Sequence, residues 1–336
     1  MKKEKNIETG KTIQKSYFWE FCMVFCIMLM LPVNISLMFS GQQPQDQKEG
    51  LEETEEETKK RVLESELEWK VLHELARTIP IDYEPETLKA QAVILRTNIL
   101  ADREEGLAGS QAPKDPSFAA DKESAGYQKG YAPQLLYAYR ERWGDDYEKN
   151  CQKLCEAVIQ TSGMYLEKGR RPIRASYFRL SNGSTRDAKE CLSGNYPEYT
   201  AAECRKDLMS HEFLGKKEMT GIEFTDEINN ITGQNFSYAE LRQTEITYQK
   251  DSAGYVLEVK IGETQMGGEV FRRSFLLPSS DFFVILKEQS VCIETKGIGT
   301  GIGFCQYGAN EMAKEGEDFL NLLHYFFTNI AISKTE

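Results

Sequence analysis

The chain has 336 residues, 40% of them hydrophobic and 28% charged, which is enough apolar material for a core and excludes global disorder. This length fits one tethered globular unit of about 250 residues or two of about 130. A formal net charge of -12 argues against nucleic-acid binding, because phosphate contacts need a basic surface. With only three histidines in the chain, a histidine-built metal centre is disfavoured.

The N-terminal region predicts a membrane anchor. Residues 21–39 carry no charge, and at about 1.5 Å per residue they reach the hydrocarbon thickness of a bilayer. Several lysines precede this run, so the positive-inside rule places the N-terminus in the cytoplasm. We therefore predict a cytoplasmic tail over 1–20, a transmembrane anchor over 21–40 and an extracytoplasmic remainder. A cleaved signal peptide is the alternative, but no small-x-small cleavage site follows.

An acidic segment over residues 41–66 follows the predicted anchor. Residues 42–68 hold ten acidic and four basic side chains, which is half of the net charge. A solvated linker is the favoured interpretation, and an acidic spacer that holds the next domain off the membrane is the alternative. From residue 67 to residue 336 the composition is that of one globular domain.

The globular part begins with predicted helices and continues with predicted strands. Apolar periodicity predicts helices over residues 67–77, 85–100 and 147–161, and a surface loop over residues 101–130. Short β-type runs come later, namely RPIRASYFRL, ITYQ, GYVLEVKI, FRRSFLL and SVCIETKG. Helices followed by strands favour an α+β fold, here one mixed helix and strand domain behind a transmembrane helix.

Six cysteines lie outside the predicted anchor, and an extracytoplasmic location permits disulfides. Cys191 with Cys204 is the pair we favour. A zinc site made of Cys191, Cys204 and His211 is a weaker alternative, because its spacing matches no standard ligand pattern. The sequence gives no reason to expect a cofactor or a metal.

Three segments carry the functional signal, and they span residues 85–100, 175–185 and 297–316. In the third segment, four glycines alternate with other residues and are followed by Gln306 and Tyr307. No Lys-Ser/Thr pair follows, which excludes a phosphate loop, and no βαβ context supports a dinucleotide-binding fold. The glycines favour a tight structural turn over a backbone surface that binds sugar.

In this order the three segments resemble the stage II sporulation protein D family, which includes amidase-enhancer proteins. The resemblance runs from about residue 67 to residue 330. The matching residues are Glu86, Leu88, Lys89, Ala90, Gln91, Ala92, Arg96, Thr97, Ser181, Gly183, Thr185, Gln306, Tyr307, Gly308, Ala309 and Asn310.

The resemblance implies a lytic transglycosylase that cleaves peptidoglycan glycan strands, often strands stripped of their stem peptides. Such a reaction needs one protonated carboxyl group that donates to the glycosidic oxygen. The same group then accepts the proton of the muramic acid hydroxyl as the anhydro ring closes. In the family this group is the glutamate of a Glu-Met-Pro turn before the long helix.

Several family residues are replaced in this chain. Thr78 occupies the position of the family glutamate, and a threonine hydroxyl is not a carboxylic acid. Thr300 stands where the glycine loop of the family has histidine, and Cys305 stands where it has serine. Some relatives hold zinc in the insert after the long helix, but residues 101–150 contain no histidine or cysteine.

Two carboxylates are candidate substitutes for the missing acid. Glu74 lies one helical turn before Thr78, and Asp82 lies four residues after it. A displacement of a few ångströms would nevertheless impair this kind of catalysis. Cys305 as a nucleophile is disfavoured against a buried thiol, because no histidine lies near it in sequence.

A glycan-binding surface could persist without the chemistry. The candidate ligands of sugar hydroxyls and carboxylates are Arg96, Ser181, Asn182, Thr300, Gln306 and Tyr307. Arg96, in the middle of a helix, is the one most expected to form a buried ion pair. Three hypotheses follow. They are a membrane-bound glycan-binding protein with lost or reduced catalysis, an active transglycosylase that uses Glu74 or Asp82, and a non-catalytic interaction scaffold in cell-wall remodelling.

Overall fold

The computed structural model of the protein describes Glu57 and residues 61–63, 65–106 and 139–335. The predicted tail, the predicted anchor and most of the acidic segment lie outside these residues. Among the described residues, no helix combines the length and the apolar character that a membrane span requires.

The first layer consists of helices packed side by side. They are α1 (Glu66–Thr78), α2 (Pro85–Glu104), the short α3 (Arg140–Trp143) and α4 (Tyr147–Gln160). Pro85 starts α2, where its missing N–H costs no hydrogen bond. The apolar stripe of α1, including Val71, Leu72 and Leu75, is fully buried against α2 and α4. The three helices predicted from apolar spacing are therefore confirmed.

A second group of elements packs on the other side of α2. It contains β1 (Met164–Lys168), β2 (Arg171–Pro172), β3 (Tyr177–Phe178), α5 (Ala188–Cys191) and a 3-10 helix (Arg205–Met209). Asn98 in α2 fixes this group, because its side-chain amide exchanges two hydrogen bonds with the backbone of Ala175, at 2.9 and 2.8 Å.

The middle of the chain forms two three-stranded antiparallel sheets with their own core. The elements are β4 (Leu214–Thr220), α6 (Gly221–Thr232), α7 (Tyr238–Leu241), β5 (Ile246–Lys250), β6 (Val256–Ile261), β7 (Thr264–Gly267), α8 (Gly268–Ser274), β8 (Asp281–Leu286) and β9 (Ser290–Lys296). Strand orders are β4-β9-β8 and β5-β6-β7. Phenylalanines 224, 271 and 282 are buried between these elements.

The C-terminal segment returns to the first half of the domain. It contains β10 (Phe304–Cys305), α9 (Gln306–Lys314), α10 (Phe319–Phe326) and β11 (Ala331–Lys334). β10 pairs in parallel with β3, and β11 completes a sheet of order β11-β1-β2. Because α9 and α10 pack on α2, the first and last predicted motifs come together.

The mixture of helices and mainly antiparallel strands confirms the α+β class. One strand prediction is wrong, since the FRRSFLL run forms α8 and the turn after it. Phe271 and Phe275, four residues apart, point to one face of this helix with ring centroids 4.5 Å apart, and both are buried. A strand would have placed them on one face as well, so the local pattern did not distinguish the two structures. Of the loop predicted over 101–130, residues 101–104 continue α2.

Candidate functional site

The first and third motifs meet at Gln306, the first residue of α9. The Gln306 side-chain Nε2 donates a 2.7 Å hydrogen bond to the carbonyl oxygen of Thr78, and the Gln306 side chain is buried. One turn later in α9, Asn310 Oδ1 accepts a 2.7 Å bond from the backbone N–H of Glu84. These two bonds hold the turn between α1 and α2 against the start of α9. We call Thr78, Tyr83, Arg179, Gln306 and Tyr307 the motif junction.

Thr78 ends α1 and presents no ionisable group to the motif junction. Its hydroxyl donates a 2.7 Å hydrogen bond to the carbonyl oxygen of Glu74, so it satisfies the end of its own helix. The residue is 7% exposed. The Thr78 hydroxyl, at the position of the family glutamate, is thus engaged in a structural hydrogen bond within its own helix.

The two candidate substitute acids lie in different surroundings. Glu74 in α1 forms an ion pair with Arg77, with 3.0 Å between Oε1 and Nη1. Asp82 lies in the exposed turn after α1, between the bonded Thr78 and the start of α2. The structure therefore leaves Asp82 more open to a ligand than Glu74, which is already bound to a cation.

Tyr83 and Arg179 form a wall of the motif junction that the sequence motifs did not identify. The Arg179 guanidinium lies 5.5 Å from the centre of the Tyr83 ring and forms a 2.7 Å ion pair with Glu212. The backbone N–H of Tyr307 bonds to the carbonyl oxygen of Arg179 at 3.0 Å. Arg179 lies two residues before the matched Ser181, and that proximity is the signal that could have found it.

The phenol of Tyr83 is buried, and no described residue accepts or donates a hydrogen bond at its oxygen. Burial raises the pKa of this phenol well above its usual value, with the Arg179 charge acting in the opposite direction. The hydroxyl is therefore neutral at physiological pH and keeps both its donor and its acceptor capacity.

The glycine loop is a tight structural turn that packs closely on neighbouring backbone. Gly299 has φ 116°, and a side-chain carbon at this residue would lie 2.5 Å from Phe178 Cβ. At Gly303, with φ 84°, the same carbon would lie 2.2 Å from the carbonyl oxygen of Ser176. The loop needs glycine because it lies directly on the segment that carries the second motif.

Arg186, which lies outside the matched motif residues, bonds to the glycine loop from the other side. Its side chain forms a buried 2.6 Å ion pair with Asp251, and its Nη1 donates to the carbonyl oxygen of Thr300 at 3.3 Å. Its backbone N–H bonds to the carbonyl oxygen of Gly301 at 2.8 Å. Thr300, which replaces the family histidine, is thus fixed through its backbone, and its half-buried side chain takes no part in these bonds.

The second motif contributes structural hydrogen bonds. Ser181 is fully buried, and its Oγ accepts a 3.0 Å bond from the N–H of Gly183. Asn182 donates from Nδ2 to the carbonyl oxygen of Ala253 at 2.8 Å and to Asp281 at 3.0 Å. The Asn182 side chain therefore connects the second motif to the middle of the chain, whereas the Ser181 side chain stabilises its own turn.

Arg96 lies in the interior of the first layer. Its Nε donates to Glu68 Oε1 at 2.9 Å, its Nη1 donates to the carbonyl oxygen of Met164 at 2.9 Å, and the side chain has no exposed surface. The buried ion pair expected for Arg96 is confirmed. Because the guanidinium is enclosed, it is not available to a ligand at the surface.

The cysteines are arranged differently from the sequence prediction. All six described cysteines are free, so the favoured pairing of Cys191 with Cys204 is wrong. Cys191 Sγ instead donates to the carbonyl oxygen of Asp187 at 3.3 Å, within α5. The zinc set of Cys191, Cys204 and His211 is not assembled either, because Cys204 lies beside Asp207 and Cys305.

Cys305 is unsuited to act as a nucleophile. It is fully buried, and its Sγ donates to Asp207 Oδ2 at 2.9 Å. Burial, a hydrogen bond with Cys204 and the Asp207 charge all raise the pKa of the Cys305 thiol well above its usual value. The interpretation as a buried thiol therefore fits the structure.

Comparisons with known proteins extend the resemblance. A family model described as stage II sporulation protein matches residues 54–167. The stage II sporulation protein D of Bacillus amyloliquefaciens is 28% identical over 271 residues, covering 80% of this chain and 75% of that protein. The protein of the same name from Bacillus subtilis (strain 168) is 29% identical over 270 residues, with the same two coverages of 80% and 75%.

A more distant relative aligns over part of the chain. An uncharacterised protein of Brachyspira hyodysenteriae is 28% identical over 111 residues, which cover 32% of this chain and 30% of that protein. The matched family model includes α1, α2 and the turn that carries Thr78. Because the family model matches the first motif and the two Bacillus alignments cover 80% of this chain and 75% of each relative, the protein belongs to the stage II sporulation protein D family.

Proposed function

We propose that the protein is a membrane-anchored, outward-facing protein that binds peptidoglycan glycan strands during sporulation, with transglycosylase activity lost or reduced. The observation that carries the proposal is that Thr78 has a hydroxyl, not a carboxyl group, and that this hydroxyl is already hydrogen-bonded. The turn that bears it is held by Gln306 and Asn310, yet its own side chain is a hydroxyl bonded to the carbonyl oxygen of Glu74. Family membership supports a role in the cell wall during sporulation.

The loss of catalysis follows from proton chemistry. A carboxyl group must donate a proton to the glycosidic oxygen and later accept one, and an alcohol does neither near neutral pH. Glu74 already neutralises Arg77, and its backbone lies a full turn away from Thr78. Such an offset of several ångströms from the reacting atoms normally removes most of the catalytic effect.

The retention of glycan binding is supported by the side chains of the motif junction. Arg179 and Glu212 form a partly exposed ion pair, with side-chain exposures of 21% and 32%. Beside them lies the half-buried Tyr307, while the buried ring of Tyr83 packs beneath the Arg179 guanidinium. An exposed aromatic face packs on sugar rings, and the partly exposed polar atoms of a charged pair bond to hydroxyl groups, so this combination suits a sugar polymer.

A residual activity through Asp82 is the second candidate. This residue is exposed in the turn between Thr78 and α2, so a glycan bound at the motif junction would pass close to it. An interaction scaffold without glycan binding is the third. The same experiment separates all three candidates.

The test uses the purified full-length chain and glycan strands stripped of stem peptides. Binding is measured by co-sedimentation, and products are searched by mass spectrometry for anhydro-muramic acid ends. We expect binding without anhydro products. Tyr307→Ala and Arg179→Ala should each weaken binding about five- to tenfold, the effect of roughly 1 kcal/mol. Arg242→Ala, an exposed arginine on the turn after α7, is the matched control.

Three other outcomes would decide against the proposal. Anhydro products that vanish in Asp82→Ala or Glu74→Ala would show an active enzyme with a relocated acid. A folded protein that does not sediment with glycan would favour the interaction scaffold. Equal weakening by Arg242→Ala would mean that binding is a general charge effect rather than a property of the motif junction.

A further inference from the structure

A second group of side chains, separate from the motif junction, lies in the interior beneath the start of α9. The sulfur atoms of Cys204 and Cys305 and a carboxylate oxygen of Asp207 lie within 4.8 Å of one another. Asp207 and Cys305 have no exposed surface, and Cys204 is 5% exposed. Within the described ranges this is the one group of three or more such residues with metal-type spacing.

One oxygen of this group lacks a partner. Asp207 Oδ2 accepts a 2.8 Å bond from the N–H of Ser181 and a 2.9 Å bond from Cys305 Sγ, but no described residue bonds to Oδ1. A buried carboxylate oxygen without a partner is costly, and it requires an explanation. The fold thus brings a carboxylate inside and leaves half of its acceptor capacity unused.

The unpartnered oxygen and the Cys204 sulfur face the same point. A side-chain carbon built on Gly308 would lie 3.2 Å from Asp207 Oδ1 and 3.2 Å from Cys204 Sγ. Glycine at this position of α9 therefore keeps space in front of both atoms. Asp207 lies in the 3-10 helix and Cys204 immediately precedes that helix, so the turn of the helix brings the two side chains together.

We propose that Cys204, Asp207 and Cys305 bind a thiophilic divalent metal ion, with zinc as the expected species. Zinc takes Zn–S distances of about 2.3 Å and Zn–O distances of about 2.1 Å, so its ligand atoms lie roughly 3.5 Å apart, within the observed spread. Cys204 and Asp207 are separated by two residues, the spacing at which paired ligands in a Cys-x2-Cys hook hold one ion.

The proton and charge balance of the site is straightforward. Binding replaces the protons of the two thiols with one divalent ion, the protons leave to solvent, and no electron is transferred. Two thiolates and one carboxylate then leave a single negative charge around the ion. The Ser181 N–H at Asp207 Oδ2 and the N-terminal end of α9, which follows Cys305 directly, offset that charge.

The ion would connect the second and third motifs. Cys305 precedes Gln306, which bonds to Thr78, and Asp207 bonds to Ser181 of the second motif. An ion between them would fix the start of α9, and with it the motif junction, independently of any glycan. The proposal does not rest on the proposed function, since metal content and glycan binding are measured separately.

The test measures metal in the full-length chain. The protein is produced in zinc-supplemented medium, dialysed against a chelator while folded, and analysed by elemental mass spectrometry. We expect about one zinc per chain, and a loss of about tenfold or more in Cys305→Ser and in Cys204→Ser. Serine is the residue that the family pattern has at position 305, so this variant is expected to fold. Cys191→Ser, a half-buried cysteine outside the group, is the matched control and should retain zinc.

A second measurement does not depend on the variants. The unfolded wild-type chain is refolded with cobalt(II), and thiolate coordination is detected as a sulfur-to-cobalt charge-transfer absorption. Wild-type protein that retains no zinc and shows no such absorption would overturn the proposal. A disulfide between Cys204 and Cys305, detected as a mass lower by two hydrogens, would also overturn it. So would a loss of zinc in Cys191→Ser while Cys204→Ser and Cys305→Ser retain it.

Discussion

The side-chain amide of Gln306 donates a 2.7 Å hydrogen bond to the carbonyl oxygen of Thr78, which lies 228 residues earlier in the chain. This bond joins the end of α1 to the beginning of α9. It is buried, so its loss leaves the Thr78 carbonyl without a donor in a place that water does not reach.

We expect Gln306→Met to lower the free energy of unfolding by about 1–3 kcal/mol, the cost of one buried unsatisfied carbonyl. Methionine keeps the length and most of the volume of glutamine, so cavity effects are small. Urea denaturation measures the change, and Gln243→Met at an exposed position should stay within about 0.5 kcal/mol of wild type. Equal effects of the two variants would refute the assigned role of this bond.

Thr78→Glu should restore anhydro-muramic acid products on stripped glycan strands if the acid is the main missing part. The variant places a carboxyl group at the family position, within a turn that Gln306 and Asn310 already hold. Thr78→Gln has the same shape without the proton and should form no product. A folded Thr78→Glu protein that binds glycan but makes no product would show that more than the acid has changed.

Arg96→Met should destabilise the protein by about 3–5 kcal/mol, because it leaves the Glu68 carboxylate buried without its cation. The double variant Arg96→Met with Glu68→Leu should recover part of this loss. Recovery should be incomplete, since Glu68 also accepts a 3.0 Å bond from the Gly163 N–H. Thermal and urea unfolding of the four proteins form a double-mutant cycle. Additive effects in that cycle would contradict a direct pairing.

Gly299→Ala should be more damaging than Gly316→Ala, although both glycines have positive φ, at 116° and 102°. Each substitution costs about 1–2 kcal/mol in backbone conformation. Only at Gly299 does the new carbon also collide with Phe178, which adds about 1–3 kcal/mol of overpacking. Equal losses in the two variants would mean that contact with the second motif does not constrain the loop.

Cys155 gives a pH-dependent prediction. Burial raises the pKa of its thiol from 9.0 to about 12, so near pH 8 the folded protein holds about a thousandfold less thiolate there than an exposed cysteine. Alkylation of Cys155 should therefore be slow and should rise about tenfold per pH unit up to about pH 11. The stability that this neutral thiol contributes is present below pH 9 and is lost as pH rises toward 12.

Peptide mass spectrometry measures the alkylation rate, with the chain unfolded in urea as the reference. In urea the same cysteine should react as an ordinary exposed thiol. Rapid labelling of Cys155 in the folded protein at pH 8 would contradict its burial against α1 and α2.

The helices were the most predictable part of the fold, and the reason is local. The apolar spacing in α1 and the proline at the start of α2 specify helix without reference to distant residues. The FRRSFLL run was misassigned because its aromatic spacing fits either a strand or a helix. In the folded chain Phe271 of this helix stacks on Phe282 of β8, a contact that the local spacing does not reveal.

The site was predictable only in part. The identity of Thr78 as a residue without a carboxyl group is a property of the sequence, and no fold changes it. That Arg96 is enclosed by Glu68, and that Arg186 holds the backbone of Thr300, depend on residues brought together from distant parts of the chain. Sequence spacing ranked Arg96 among the sugar ligands and passed over Arg179, because exposure is set by tertiary packing.

The sequence by itself determined the class of fold, the family resemblance and the absence of a carboxyl group at the expected catalytic position. Each follows from residue types and local spacing. The tertiary structure decided which cysteines are neighbours, because it brings the free thiols of Cys204 and Cys305 together from distant parts of the chain. It also decided which polar groups remain exposed at the surface. The physical reason is that burial and hydrogen-bond partners are set by long-range packing, which a local pattern constrains only weakly.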